Sequence, residues 1–341
     1  MNHKHISLAV KYRPDNWDSV VEQDSTKVIL QQQLESKEFK NAYLFVGGAG
    51  TGKTTCARIF ANEINEYKGH PIELDAASNS SVDDARLVIQ QAKTKSLDSE
   101  YKIFIIDECH SLSSQAWQAF LKLIEEPPAK SIFIFCTTNP EKIPKTILSR
   151  VQRYDFKRIS QQGIIGRLTY ILEEECDKSW DWRSEALEYL AKLADGGMRD
   201  AITMLDKCLS LSHELTVENV VDALGAVDYD IMIQLVSNII NYDANEIISI
   251  IEDIHNSGKD LKQFVRQLIN FVLDIKKYCI FKSYDYVAIP CTEGTKGFLT
   301  TMLEYEDAIS ALLETLLKIN IEIKYDNSPK YLVEAMLVRR L

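Results

Sequence analysis

Residues 47–54 read Gly47-Gly48-Ala49-Gly50-Thr51-Gly52-Lys53-Thr54 and match the pattern G-x-x-x-x-G-K-[ST]. The loop follows the apolar run AYLFV, and a helix is predicted directly after it over Thr54–Ile64. This order of strand, loop and helix separates the motif from an ordinary glycine turn that happens to precede a helix. Glycines let backbone N–H groups turn towards a phosphate, and the helix N-terminus adds positive potential. The stretch therefore predicts a phosphate-binding loop in an α/β domain.

The sequence on both sides of the loop predicts a parallel sheet with helices between the strands. Strands are predicted at Ala42–Val46, Ile72–Asp75, Lys102–Ile106, Ser131–Cys136 and Arg153–Phe156. After Lys157 no strand is predicted, and the apolar residues recur at helical spacing. Gly196-Gly197 interrupts that pattern before a helix that carries Arg199. We therefore expect three domains: an α/β domain over 1–158, a small helical domain over 159–226 and an all-α domain over 227–341.

Composition limits the class of protein. The chain has 341 residues, of which 45% are hydrophobic, and this length suits two or three domains. It has no apolar run long enough to span a membrane and no secretory signal in its first residues, so we expect no membrane association. Seven cysteines without a C-x-x-C pair indicate reduced thiols and a cytoplasmic location. The formal net charge of −11 argues against a stand-alone DNA-binding protein, so DNA contact would need a local patch, helix N-termini or partner subunits.

The residue types around the loop fit the hydrolysis of ATP. Lys53 is expected to reach the β- and γ-phosphates, and the Thr54 hydroxyl to bind Mg²⁺. The apolar run 102–106 ends in Asp107 and Glu108, and ligands gather at the carboxyl ends of parallel strands. Asp107 would hold Mg²⁺ through water, and Glu108 would polarise the attacking water. A solvated strand end is the ordinary alternative for two such carboxylates, and the nearby phosphate-binding loop makes the functional interpretation the stronger one.

Six groups of motifs, distributed along the chain on both sides of the loop, carry a family resemblance. They are Tyr12-Arg13-Pro14 with Val20–Gln23, Asp75–Ser78, Asp107-Glu-Cys-His110, Leu123–Pro128, Thr137–Asn139 with Thr146–Arg150, and Gly196–Ala201. The set resembles the gamma/tau ATPase subunit of bacterial or phage sliding-clamp loaders, which are AAA+ proteins, and more distantly replication factor C. The resemblance covers residues 8–206 with specific motifs, whereas the last third is similar only as a helical collar.

The resemblance implies roles for individual residues. Arg13 and Val21 would line the adenine pocket, and the loop from Gly47 to Thr55 would bind the phosphates. Thr138 would be the first sensor near the γ-phosphate, and Arg199 the second sensor on a helical lid. Arg150 would be the arginine finger that reaches the ATP of a neighbouring subunit. For each arginine taken singly, a surface ion pair is the commoner role, and only the ordered set of motifs favours these assignments.

The same resemblance implies the function and the partners. The chain would be the ATPase subunit of a pentameric ring that opens a sliding clamp and loads it onto primer–template DNA for a replicative polymerase. One alternative is another AAA+ motor, such as a branch-migration helicase, which would end in a winged-helix domain that residues 227–341 do not predict. A second alternative is a non-catalytic subunit, which the intact Lys53, Thr54, Asp107 and Glu108 argue against. The sequence leaves open whether the ring contains one kind of chain or several.

Three features depart from the family pattern. The four-cysteine zinc module of bacterial gamma/tau subunits is missing, so we expect ATP and Mg²⁺ but no zinc. The sequence ends at Leu341, so we expect no tau-like extension. Basic residues common after Ser78 are replaced by Asn79-Ser80-Ser81, where a helix N-cap and a DNA contact are equally good interpretations. Leu97 and Tyr101 are the only apolar candidates for clamp contact in the segment 95–101.

Overall fold

The computed structural model describes residues 6–96, 98–176, 180–224, 229–287, 289, 293–326 and 328–339. The chain divides into two compact units, one formed by residues 1–177 with 190–206 and the other by residues 178–189 with 207–341. The expected division into three domains stays a prediction, and its boundary at Ala226 lies outside the described residues.

The first unit contains a five-stranded parallel sheet with the spatial order β2-β3-β4-β1-β5. Its strands are β1 (Ala42–Gly47), β2 (Ile72–Asp75), β3 (Lys102–Asp107), β4 (Ser131–Thr137) and β5 (Gln152–Phe156). Its helices are α1 (Leu8–Lys11), α2 (Asp24–Ser36), α3 (Lys53–Ile64), α4 (Val82–Ala92), α5 (Ser114–Glu125), α6 (Lys145–Leu148) and α7 (Gln161–Glu175). All five predicted strands are confirmed, with bounds that differ by one residue at most. Continuous apolar runs mark β1, β3 and β4, which are covered on both faces, whereas the edge strands β2 and β5 alternate more buried with more exposed residues.

Two apolar cores lie on the two faces of this sheet. Alternate residues of β1 divide between them: Leu44 packs with α4, α5 and α6, whereas Tyr43 and Phe45 pack with α2 and α3. The carboxyl ends of β1, β3 and β4 therefore meet at one edge of the sheet, and the loops that follow them are brought together there.

Two helices cross the division between the units, α8 (Ser184–Leu193) and α9 (Met198–Leu211). The second unit continues with α10 (Val217–Leu224), α11 (Tyr229–Ile240), α12 (Ala244–Asn256), α13 (Leu261–Phe281), α14 (Glu293–Met302), α15 (Glu306–Glu322) and α16 (Pro329–Val338). One apolar cluster runs from Met232 to Leu337 and joins helices α11 to α16. The expectation that no strand follows Lys157 is wrong in one detail: Asp181–Trp182 pairs in parallel with Glu214–Leu215. These strands are two residues long, too short to show an alternating pattern in the sequence.

In the part of the chain that the structure describes, no single helix is long and apolar enough to cross a membrane. By length and composition only, the bent pair formed by α10 and α11 passes the same test together.

Candidate nucleotide-binding site

The loop between β1 and α3 has the backbone geometry that its glycines predict. Gly50 and Gly52 have φ angles of +69° and +101°, which side chains other than glycine rarely adopt. At the start of the loop, a Cβ on Gly47 would lie 2.5 Å from the carbonyl oxygen of Phe156 on the neighbouring strand. The hydroxyl of Thr51 donates to the carbonyl of Gly48 at 2.9 Å and closes the loop on itself. The backbone of the loop is thus fixed in a curved conformation that is suited to binding a phosphate, directly before the first turn of α3.

Lys53 is the first residue of α3 and is buried, with 5% of its surface exposed. Its ammonium donates to the carbonyl oxygens of Gly47 at 2.9 Å and Gly48 at 2.7 Å, so its charge lies inside the loop. Burial lowers the pKa of Lys53, and the negative charge of Glu108 opposes that shift. A buried cation within a ring of loop backbone is well placed to receive a phosphate.

Thr54 and Asp107 meet at the carboxyl edge of the sheet. The Thr54 hydroxyl donates to Oδ2 of Asp107 at 2.8 Å, although 53 residues separate them in sequence. Hydroxyl and carboxylate oxygens are hard ligands of the kind that Mg²⁺ prefers, and Mg²⁺ needs only one or two protein ligands beside phosphate and water. The pair therefore fits the predicted Mg²⁺ site. In the described residues, no cluster of three or more His, Cys, Asp or Glu side chains is placed to hold a metal ion.

The Glu108 carboxylate has different hydrogen-bond partners from the Asp107 carboxylate. Its φ angle of 46° turns the chain sharply at the end of β3. Its Oε2 accepts from the hydroxyl of Thr138 at 3.0 Å and lies 3.1 Å from Nδ1 of His110. The hydroxyl of Thr137 lies 3.2 Å from the same imidazole nitrogen. The predicted first sensor is thus hydrogen-bonded to the predicted water-polarising carboxylate.

The cleft beside the loop brings together most of the predicted binding residues. Its lining includes the loop from Ala49 to Thr55, with Asp107, Glu108, Arg13, Val21 and Arg199. Gly47 and Gly48 lie behind it as acceptors for Lys53. Apolar side chains that sequence reasoning did not single out close another part of the cleft: Ala9, Pro14, Val20, Ile159, Met198 and Ile202. An apolar wall beside a phosphate cradle has the chemistry that a nucleotide base requires.

Arg167 on α7 also lines the cleft and was missed in the sequence. Its guanidinium donates to the carbonyl of Tyr12 at 2.9 Å and lies 5.1 Å from the centre of the Tyr170 ring. Burial lowers its pKa. Burial, together with the nearby Arg58 and Arg199, also lowers the pKa of Arg13. No local motif marks Arg167, because its contacts depend on the packing of the N-terminal segment against α7.

The N-terminal segment is fastened to the site by polar contacts over long sequence distances. Gln23 is buried, with 8% of its surface exposed, and its side-chain amide donates to the carbonyl of Lys157 at 2.7 Å and accepts from the Lys157 N–H at 3.0 Å. The Glu22 carboxylate accepts from the N–H of Ser160, which caps α7. These contacts account for the position of Arg13 and Val21 at the cleft.

The start of α9 touches the phosphate-binding loop directly. The N–H of Met198 donates to the carbonyl of Gly50 at 3.0 Å. A Cβ on Gly50 would lie 3.1 Å from the Cα of Gly197 and 3.2 Å from the N–H nitrogen of Arg199. This close approach needs glycine on both sides, and it sets Arg199 over the cleft as the second residue of α9.

Arg150 does not line the cleft of its own chain. It lies on the surface just after α6, where Nη2 forms an ion pair with Oε1 of Glu125 at 2.8 Å. Its Nη1 donates to the carbonyl of Thr146 at 2.8 Å and to the Ser149 hydroxyl at 3.1 Å. This placement is compatible with a role at another subunit's site.

The two segments considered for DNA and clamp contact have different outcomes. Ser81 caps α4 through a reciprocal pair of bonds with Asp84, so the N-cap interpretation is confirmed. The Ser113 N–H, at the start of α5, donates to the Ser80 carbonyl at 3.1 Å, so the two helix N-termini lie side by side. Leu97 lies outside the described residues. Tyr101 packs its ring against Phe39 at 5.4 Å, which makes it a poor candidate for clamp contact.

Comparison with known proteins gives three consecutive family matches. Residues 64–160 match the DNA polymerase III delta subunit, residues 163–214 match the ATPase lid domain of the DNA polymerase III clamp loader subunit, and residues 215–341 match domain III of DNA polymerase III subunits gamma and tau. The last two matches overlap the regions expected to be lid and collar, but they divide at residues 214 and 215 and not at the expected 226 and 227.

Individual relatives agree with these matches. DNA polymerase III subunit tau of Bacillus subtilis (strain 168) is 34% identical over 96% of this chain and 62% of that protein. DNA polymerase III subunit gamma/tau of Mycoplasma genitalium is 31% identical over 85% of this chain and 52% of that protein. The chain thus spans between half and two thirds of the length of these relatives.

Among solved structures, the Thermotoga maritima RuvB Holliday junction branch migration motor is similar, with a TM-score of 0.52 and 18% identity. The match covers 67% of this chain and 79% of that chain, and at this identity it shows a shared AAA+ fold alone. The combination of this fold, the three consecutive family matches and the gamma/tau relatives shows that the chain belongs to the gamma/tau family of DNA polymerase III clamp-loader subunits.

Proposed function

We propose that this chain binds ATP with Mg²⁺, hydrolyses it, and uses the cycle to load a sliding clamp onto primer–template DNA. The observation that carries the proposal is the meeting of Lys53, Thr54, Asp107 and Glu108 in one cleft at the carboxyl edge of the sheet. Phosphoryl transfer needs cations around the phosphates and a carboxylate near the attacking water. Among the described residues, four cationic side chains line this cleft, on Arg13, Lys53, Arg167 and Arg199, beside two carboxylates, and such a charge set suits a polyphosphate.

In this mechanism each side chain has a distinct task. Lys53 binds the β- and γ-phosphates from within the loop, and Arg199 adds charge from the start of α9. Mg²⁺ would be held by Thr54 and Asp107 and would neutralise charge on the phosphate oxygens. Glu108 orients and polarises the attacking water, and Thr138 holds the carboxylate in place. The apolar wall near Val21 and Ile159 receives the adenine and excludes water from that side.

The expected partners are a sliding clamp, primer–template DNA, a replicative polymerase and the other subunits of a pentameric ring in the cytoplasm. ATP binding would order the subunits around DNA, and hydrolysis would release clamp and DNA. The adjacent N-termini of α4 and α5 offer backbone N–H groups to a DNA phosphate, a contact that does not require a basic protein surface. A branch-migration motor remains the alternative, but the relatives of higher identity favour the clamp loader.

The test is ATP hydrolysis by the Lys53→Ala variant in the complex that the chain forms. Loss of the buried ammonium should abolish turnover and weaken nucleotide binding, because no other cation lies inside the loop. Exposed Lys40→Ala, at a site outside the cleft, serves as the control and should leave turnover unchanged. Normal hydrolysis by Lys53→Ala would refute the assignment of the site. Clamp loading is then measured as ATP-dependent retention of a clamp on primed circular DNA.

A further inference from the structure

Arg150 is engaged by its own chain through both terminal nitrogens. Nη1 donates to the carbonyl of Thr146 and to the Ser149 hydroxyl, and Nη2 pairs with Glu125. A guanidinium has five N–H donors in a rigid plane. Within the part of the chain that the structure describes, the three contacts account for three of them, so Nε and one hydrogen of Nη2 are available for a phosphate. The contacts with the chain therefore fix the plane of the guanidinium without using all of its donors.

Both side chains of the ion pair rest on firmly anchored backbone. Glu125 is the last residue of α5 and directly follows Leu123 and Ile124, which are buried in the apolar core on that face of the sheet. Arg150 follows Ile147, which is buried in the same core, and its N–H donates to the Ile147 carbonyl at 2.9 Å. The positions of the two side chains are thus fixed relative to each other by packing.

The ion pair between Arg150 and Glu125 contributes little to the stability of the fold. Both side chains are about 40% exposed, and exposed ion pairs contribute only about 0.2–1 kcal/mol. A carboxylate in the last turn of a helix is also disfavoured by the helix dipole, by roughly 0.3–1 kcal/mol. The stabilisation by the ion pair and the destabilisation by the helix dipole nearly cancel. Glu125 therefore changes the free energy of unfolding little.

We propose that Glu125 is a positioning residue that holds the Arg150 guanidinium in the orientation needed at the ATP of a neighbouring subunit. The inference rests on the proposed function, because it assumes that Arg150 acts in hydrolysis at another subunit's site. A guanidinium group that is already held by hydrogen bonds loses less rotational freedom when it binds the phosphate. Correct orientation of this group contributes directly to the rate of ATP hydrolysis. The carboxylate itself does not touch the nucleotide.

The test compares Glu125→Gln with Glu126→Gln in the complete complex, at saturating clamp and DNA. Glu126 is the adjacent exposed carboxylate and forms no ion pair among the residues that the structure describes, which makes it a matched control. Glu125→Gln should lower kcat about tenfold, a smaller loss than the ~10³-fold or greater loss expected when a finger arginine is removed. KM for ATP and the melting temperature should not change, and Glu126→Gln should behave like the unmodified chain.

A double-variant measurement separates positioning from a structural effect. In an Arg150→Ala background, single-turnover hydrolysis should be the same with Glu125 or Gln at position 125, because the side chain to be positioned is gone. An unchanged or increased kcat for Glu125→Gln would overturn the inference, as would an equal loss in the Arg150→Ala background. Failure of the proposed function has a different signature, since the complex would then hydrolyse no ATP or would keep full activity with Lys53→Ala.

Discussion

At the scale of single residues, the site gives two consecutive carboxylates different hydrogen-bond partners. Asp107 and Glu108 are consecutive, yet the first accepts from Thr54 and the second from Thr138. The left-handed backbone of Glu108 turns the two carboxylates towards different partners. We therefore propose that Asp107 binds Mg²⁺ and that Glu108 polarises the attacking water.

This separation predicts different defects for two conservative substitutions. Glu108→Gln should bind ATP and Mg²⁺ but hydrolyse slowly, because the amide cannot polarise water and the phosphate contacts remain. Asp107→Asn should weaken Mg²⁺ binding. Titration of each variant with a fluorescent ATP analogue, with and without Mg²⁺, distinguishes the two defects. If both variants lose nucleotide binding to the same extent, the division of roles is wrong.

Gly50 gives a prediction with a control in the same unit. Gly50→Ala combines a φ of +69° with a Cβ only 3.1 Å from Gly197, so the loop and the start of α9 must move apart. Nucleotide affinity should fall at least tenfold, because the cradle is distorted. Gly166→Ala, inside α7 with no atom within 4 Å of the new Cβ, should instead leave affinity unchanged and stabilise the helix by roughly 0.5–1 kcal/mol. Calorimetric binding measurements and melting curves check both, and normal affinity for Gly50→Ala would contradict this view of the loop.

At the scale of elements, a hydrogen bond joins the segments in which α4 and α5 begin. Ser81 caps α4 by accepting from the Asp84 N–H, and Ser113 caps α5 by accepting from the Ala116 N–H. The bond from the Ser113 N–H to the Ser80 carbonyl joins the two starts. Loop and helix order in this region therefore depends on side-chain caps as well as on the apolar core.

The capping serines predict a local loss of stability. Ser81→Ala should destabilise the α/β unit by about 1 kcal/mol, since an N-cap acceptor for the first turn is lost. Ser80→Ala is the control, because Ser80 contributes its backbone carbonyl, which alanine keeps. Hydrogen exchange of the amides in the first turn of α4 should accelerate for Ser81→Ala alone. Equal protection in both variants would show that the cap contributes nothing.

At the scale of the whole molecule, each of the two units has its own apolar core. The cluster from Met232 to Leu337 lies within helices α11 to α16 and needs no residue of the α/β unit. Separate cores usually allow separate folding. The fragment 1–226 should therefore fold and bind ATP, but it should no longer assemble into a ring if the last domain is the collar. Light scattering measures its mass, and an oligomeric fragment would locate the main interface elsewhere.

The position of Arg150 predicts complementation between chains. Arg150→Ala should bind ATP nearly normally but hydrolyse it slowly in the assembled ring, because Lys53 and the loop remain intact. If copies of this chain occupy adjacent positions, mixing Arg150→Ala with Lys53→Ala should recover activity that neither shows alone. If the ring admits one copy, mixing restores nothing, and a partner chain contains the site that Arg150 completes. A monomer whose hydrolysis depends fully on its own Arg150 would contradict action on a neighbour.

The sequence by itself determined the strands, the phosphate-binding loop and the identity of the site carboxylates. These features follow from local rules, because a glycine pattern fixes the loop backbone, a continuous apolar run marks the central strands β1, β3 and β4, and an alternating pattern marks the edge strands β2 and β5. Tertiary structure alone decided that Arg167 lines the cleft beside Tyr12, that Met198 bonds the loop at Gly50, and that Glu125 holds Arg150. Such contacts join residues between 25 and 155 positions apart. They depend on which helix faces pack together, and no local pattern encodes that choice.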